Sequence, residues 1–340
     1  MVASIIIVMA LILFTGDTIS TKNGFNRTFI NQIIRPVYYS PKLNGLRSVC
    51  GIQNDHIYFE TDTAGSIIET DSVLSNFRLM QFAIPGKEIV QTLYTTFIDS
   101  TNCYVMAGNV PAVIKVNLHS RTTSIFRVPG NLYSESVVLD SNNYIFRYYK
   151  KFSGKWNQIF VKANTLTNTV YEELNISERK GDAGFSTDGN LLFDESTRRV
   201  VYVEYYRNRF TCMDTSLHLL YRANTIDTFK NATVTVSVNE SGEVESITNG
   251  SPLHEINLES RAAGGKLYIH SAVKADNEKT ENFIHHSLID VYQISDGQYL
   301  GSFYIPEYKG ERSKEFEIDR DNIIVLYNNY VVIFSNPSQM

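Results

Sequence analysis

Apolar and polar positions alternate in short runs along this chain, and each run is bounded by a brief polar break. Residues 200–228, "VVYVEYYRNRFTCMDTSLHLLYRANTIDT", hold three such runs in succession. Alternation with a period of two marks β-strands, and the polar breaks between the runs mark turns. The same form recurs as "HIYFE" after Asn54-Asp55, "CYVMA" after Ser100-Thr101-Asn102 and "YIFRYY" after Ser141-Asn142-Asn143. It returns as "KLYIHSAV" after Gly264-Gly265 and "IIVLY" after Asp321-Asn322. With Asp55, Asn102, Asn142, Ser196, Gly265 and Asp321 as markers, the spacings are 47, 40, 54, 69 and 56 residues. A four-stranded propeller blade takes roughly 40–50 residues.

Each marked strand has companions. Inner strands precede the turns ("SVCGI", "TTFID", "SVVLD", "NLLFD", "INLESRA", "EFEID"), and a further strand follows each marked one ("SIIETD", "AVIKVN", "NQIFVKA", "FTCMD", "LIDVYQI", "YVVIFS"). Several units then add an outer strand that ends near proline, as in "RLMQFAIPG" and "LGSFYIPE". Proline suits an edge strand, where its missing N–H does least harm. Six units predict an all-β, six-bladed β-propeller. The last unit lacks an outer strand, whereas "RPVYYSP" at 35–41 has the outer-strand form. That segment is expected to complete the last blade and close the ring, which removes exposed sheet edges. Two insertions stand out: an extra hairpin around Glu240-Ser241-Gly242, and a polar loop, "KADNEKTENFIHHS", at 274–287. Repeat folds tend to carry such insertions on one face, often the binding face.

The N-terminus modifies the picture. Ile5 to Phe14 is an unbroken apolar run of ten residues, the length of a signal-peptide core and short of a membrane span. Residues 1–20 read as a signal peptide or N-terminal membrane anchor and 21–340 as the propeller. The body is then exported, either periplasmic or anchored and facing the periplasm. Composition agrees with strands: Tyr (21) and Phe (19) are abundant, and 43% of residues are apolar. A net charge of −5 without a basic cluster argues against nucleic acid as partner. Cys50, Cys103 and Cys212 have no metal-ligand spacing and are read as buried small hydrophobes.

The segments "YYRNRFTCMD" (205–214), "YRANTIDT" (221–228) and "IDVYQISDGQYLGSFYIPEYKG" (289–310) resemble those of a largely uncharacterised group of exported bacterial six-bladed propellers of the NHL or TolB-like kind. The resemblance spans about Asn23 to Ser335. It implies the blade count and the export, and it carries no activity. Better-known six-bladed relatives include lactonase-type hydrolases with a metal at the pore, whose ligand pattern has no match here.

Candidate chemistry is sparse. Adjacent His285 and His286 on extended chain point to opposite faces and do not share a metal. The run "DRDN" at 319–322 lacks the remaining ligands of a calcium loop, and no phosphate-binding glycine motif or nucleophile elbow occurs. No cofactor and no metal site are indicated. Arg207, Asn208 and Arg209, flanked by Tyr205, Tyr206 and Phe210, form a turn suited to carboxylate or phosphate recognition. Asn208 also suits the tight turn itself. Arg147, ahead of Tyr148, Tyr149, Lys150 and Lys151, is a comparable cluster expected on the same face. Arg47, Glu135, Arg261 and Glu315 are expected around the central channel, where they would bind a small ligand or form a salt-bridge network. The primary expectation is a binding or scaffold module that meets an envelope protein or small ligand through loops on one face. The alternative is a metal-dependent hydrolase with its site at the channel.

Overall fold

The computed structural model describes residues 22–30, 34–85, 94–130, 132–231, 236–241, 244–249 and 254–339. Among them, six four-stranded antiparallel sheets form a six-bladed propeller. Blade 1 holds β2 (Leu46–Gln53), β3 (His56–Thr61), β4 (Ser66–Asp71) and β5 (Phe77–Gln81). Blade 2 holds β6 (Tyr94–Ile98), β7 (Asn102–Ala107), β8 (Ala112–Asn117) and β9 (Thr123–Arg127). Blade 3 holds β10 (Tyr133–Val138), β11 (Asn143–Phe152), β12 (Lys155–Asn164) and β13 (Thr169–Glu173). Blade 4 holds β14 (Gly189–Asp194), β15 (Arg199–Glu204), β16 (Phe210–Asp214) and β17 (Leu219–Ala223). After the hairpin β18 (Val236–Ser241) and β19 (Val244–Asn249), blade 5 holds β20 (Asn257–Ala263), β21 (Lys266–Ser271), β22 (His286–Gln293) and β23 (Tyr299–Pro306). Blade 6 holds β24 (Glu315–Asp319), β25 (Asn322–Leu326) and β26 (Val331–Ser335), and its outer strand is β1 (Pro36–Tyr39). The closure expected from 35–41 is thus observed: Tyr38 pairs with Ile333 and Tyr39 with Val332, antiparallel. The inserted hairpin is also where the alternation placed it, with Ser241 opposite Val244.

Burial explains the strand patterns. Second strands are covered on both faces by neighbouring blades, so β7 is buried at every position and β15 at all but its first. Outer strands are mostly exposed, as in β9 and β13. Six of the core clusters are inter-blade seams, and a seventh packs Phe25 against Ile256, Val273 and Ala275. In β15, Val200 and Tyr202 pack toward blade 3, while Val201 and Val203 pack toward blade 5. One seam joins Ile324 and Ile333 of blade 6 to Val49 and Phe59 of blade 1, sealing the ring. The three cysteines are buried and free.

Turn chemistry repeats with the blades. The turn between the third and fourth strands is held by an Asx side chain in five of them: Asp71, Asn117, Asn164, Asp214 and Asp296 each accept a backbone N–H two to four residues on. Gly264 (φ 60°) and Gly265 (φ 77°) form a two-residue hairpin turn in which both residues need the left-handed region. An antiparallel meander sends its first-to-second and third-to-fourth turns to one rim. Its second-to-third turns and its blade-to-blade connections go to the other. The segments 174–188, 272–285 and 307–314, and the described parts of 224–256, therefore lie on the second rim. The segment read as a polar loop contains a short helix, α1 (Thr280–His285), and His286 opens β22 instead of remaining in a loop.

The N-terminal segment supplies a feature that the alternation did not show. Before reaching β1, residues 28–30 run along the outer edge of blade 5, with a parallel bridge from Phe29 to Ser302 and backbone bonds Ile30 N–H to Ser302 O and Ser302 N–H to Thr28 O. The chain start thereby ties two blades. The leader reading concerns residues 1–20, which lie outside the described residues.

Candidate functional site

Four arginine clusters concentrate the polar chemistry. The first lies on the ring axis. Residues two apart on a strand share a face, so Glu259 and Arg261 of β20 align beside Glu315 and Glu317 of β24. The Arg261 guanidinium meets Glu259 at 2.7 Å, Glu315 at 2.6 Å and Glu317 at 2.7 Å. Burial pushes the carboxyls of Glu259 and Glu315 above the usual range, against the pull of Arg261. Burial and the nearby Asp188 push Glu135 up to about 8, opposed by the Leu191 backbone N–H and Arg261. Arg47 stands on β2, paired with Glu60 at 3.4 Å and packed over the Tyr94 ring. The four residues expected near the channel are therefore on the innermost strands themselves. Arg261 and Glu315 are brought together, whereas Arg47 is paired elsewhere. Arg261 fills the point where the carboxylates converge, and among the described residues no group of three or more His, Cys, Asp or Glu is placed to hold a metal ion.

The second cluster is the β15–β16 turn. Arg207 binds Glu204 Oε2 at 2.5 Å and Glu178 Oε2 at 3.0 Å, and Arg209 binds both carboxylates as well. Burial raises the Glu178 carboxyl, but Arg209 and Arg207 outweigh it and hold the group down at about 2. Asn208 donates through Nδ2 to Asp227 O at 2.6 Å and through its backbone N–H to Phe229 O at 2.7 Å. Arg207 and Asn208 are buried. These residues clamp Glu178 of the 174–188 connection, and Asp227 and Phe229 of the next one, to blade 4.

Arg147 is the third. It lies within β11 and is 1% exposed, at the seam of blades 3 and 4. Its guanidinium carbon sits 4.5 Å from the Phe160 ring centroid and 4.9 Å from that of Tyr202. It donates to Ser177 Oγ at 2.6 Å and Thr187 Oγ1 at 3.4 Å, both neutral acceptors. The surface neighbours that follow it in sequence are separate. Strands β11 and β12 continue pairing to Phe152 and Lys155, past the last β10 partner at Tyr148, so the hairpin tip stands proud of the rim. That tip carries exposed Lys151 and Lys155, with Arg179 and Lys180 alongside. Arg179 lies 4.0 Å from the Phe152 ring centroid and Lys151 lies 4.8 Å from that of Trp156, the single tryptophan.

The fourth cluster escaped sequence reasoning. Arg27 is fully buried and binds Glu278 Oε2 at 2.6 Å, Asp290 Oδ1 at 2.8 Å, Ser271 Oγ at 2.9 Å and Val273 O at 2.8 Å. It knots the N-terminal segment to blade 5. A cavity of about 530 Å³ lies beside it, walled in part by the stacked rings of Phe29 and Tyr304. The only available signal was "NRT" within an otherwise irregular stretch, which has no period to read.

No protein-family model matches the chain, and no curated protein matches it significantly. Solved structures do. A member of the DUF4221 family from Bacteroides vulgatus aligns at a TM-score of 0.54 and 13% identity, covering 89% of this chain and 97% of its own. The tricorn protease aligns at 0.47 and 9% identity over 90% of this chain and 35% of its own. The β-propeller domain of Cps50 (Swd1) from Myceliophteria thermophila aligns at 0.45 and 10% identity, over 88% of this chain and 100% of its own. At 13% identity the likeness to the DUF4221 protein shows the fold alone.

Proposed function

We propose that this chain is an exported binding module that docks an acidic segment of an envelope protein on the rim of blades 3 and 4. One observation carries the reading: the β11–β12 tip gathers Lys150, Lys151, Lys155, Arg179 and Lys180 on a chain whose net charge is −5. Glu172 pairs with Lys150, and Glu178 is shared by Arg207, Arg209 and Lys180. Lys155 and Arg179 have no carboxylate partner among the described residues, and Arg179 and Lys151 sit beside aromatic faces. Phe152 and Trp156 brace the cations against rigid rings, which lowers the ordering cost of a contact. Rim charges of this kind steer association and make it salt-dependent.

The test uses a poly-glutamate peptide as probe and Trp156 fluorescence as readout. Binding is expected to perturb the emission, to weaken with added salt, and to fall at least about tenfold when Lys151, Lys155 and Arg179 are all changed to Glu. An unchanged affinity in the triple variant overturns the reading. So does tighter binding of a single-stranded oligonucleotide than of the peptide.

A further inference from the structure

We propose that Arg147 holds a small inorganic anion of chloride size at the seam between blades 3 and 4. A buried guanidinium ordinarily has a carboxylate against it, because an uncompensated charge away from water is costly. Arg27, Arg207 and Arg261 obey this rule. Arg147 does not: its hydrogen bonds go to two hydroxyls, and among the described residues no carboxylate lies within ion-pair distance. Its Nε–H is buried without any partner.

The surroundings leave that vacancy of charge open on one side. Glu135 lies opposite Arg147 in the β10–β11 register, but it makes no ion pair with it, and burial and Asp188 push its carboxyl up to about 8. Asp188 is the carboxylate that acts on Arg147 at longer range, and it accepts the Gly189 N–H at 3.1 Å. The Phe160 and Tyr202 rings, with centroids 5.1 Å apart, pack on the same side of the guanidinium, and a ligand that accepts from the Nε–H approaches in the guanidinium plane along that edge. Two other buried polar atoms near this wall lack partners: Ser186 Oγ, adjacent to Thr187, and Gln158 Oε1. Ser186 can donate an O–H. The Gln158 amide presents an N–H instead when turned by half a revolution. The site is enclosed. Gly184 packs so close to Gln158 that a Cβ there would meet the Gln158 side chain at 2.5 Å. With Arg147 only 1% exposed, a monoatomic anion fits the seam better than an organic acid.

Two measurements on the full chain test this. Crystals soaked in sodium bromide should show an anomalous peak within hydrogen-bonding reach of Arg147 Nε. In solution, replacing gluconate by chloride at constant ionic strength should raise the melting temperature by about 2 °C. Arg147→Met keeps the contact with both rings and should abolish the chloride response. A water in place of the bromide peak overturns the proposal, as does a chloride shift that persists in Arg147→Met.

Discussion

Arg261 and Arg147 are both withdrawn from bulk water, yet the ring treats them in opposite ways. Arg261 is met by three carboxylates, whereas Arg147 is met by two rings and two hydroxyls. The difference follows from where each arises. Arg261 and its partners belong to two innermost strands, β20 and β24, whose alternation stacks charges on the axial face, so the partners come with the blade pattern. Arg147 faces the connection 174–188, which follows no blade pattern and supplies Ser177 and Thr187. Neutralisation is intrinsic to the repeat at the axis and depends on something added at the seam.

Removing the cations separates the two cases. The largest effect is expected at Arg27, the most completely buried of the paired arginines. Arg27→Ala leaves Glu278 and Asp290 buried without a cationic partner, held only by Ala275 N–H, Tyr304 O–H and Ser302 O–H, and should cost about 3–5 kcal/mol in urea unfolding. Arg261→Met should cost less, about 2–4 kcal/mol at pH 7, because the axial cluster retains some contact with solvent. That loss should shrink toward pH 5, since Glu259 and Glu315, already displaced upward by burial, take up protons. Arg147→Met, which leaves no carboxylate behind, should stay within about 1 kcal/mol of the parent in chloride-free buffer. A loss at Arg147 equal to that at Arg27 would erase the contrast.

The same division explains what the chain discloses before folding. Second strands such as β7 and β15 are buried on both faces, so "CYVMA" and "VVYVE" announce themselves as continuous apolar runs. Closure was also legible, because Val37, Tyr38 and Tyr39 form an outer strand without a blade of its own in sequence. Glu315 and Arg261 could be placed at the axis for the same reason. The Arg27 knot could not be read, since its partners Glu278 and Asp290 are more than 250 residues away and no period links them. Arg147 was visible as a residue but not as a buried one: the alternation of "YIFRYYKK" leaves open which face is covered by blade 4. Lys150 and Lys151 just beyond it drew the reading toward the surface.

The finest distinction between axis and seam rests on Glu135, which adjoins both. Its carboxyl titrates at about 8 in the folded chain, above the ordinary value near 4.3. The folded state therefore binds the extra proton between roughly pH 4.3 and 8, and stability falls as pH rises through that window. Asp188, raised to about 6 chiefly by burial, adds the same sign over a narrower range. Glu135→Gln keeps the shape and removes the titration. Its urea midpoint should match the parent's at pH 5 and exceed it at pH 8.5, a difference of about 1–2 kcal/mol after allowance for water in the channel. Parallel pH profiles for the two proteins would mean that Glu135 is ionised at neutrality. It would then supply the negative charge that Arg147 lacks, and the seam would need no anion.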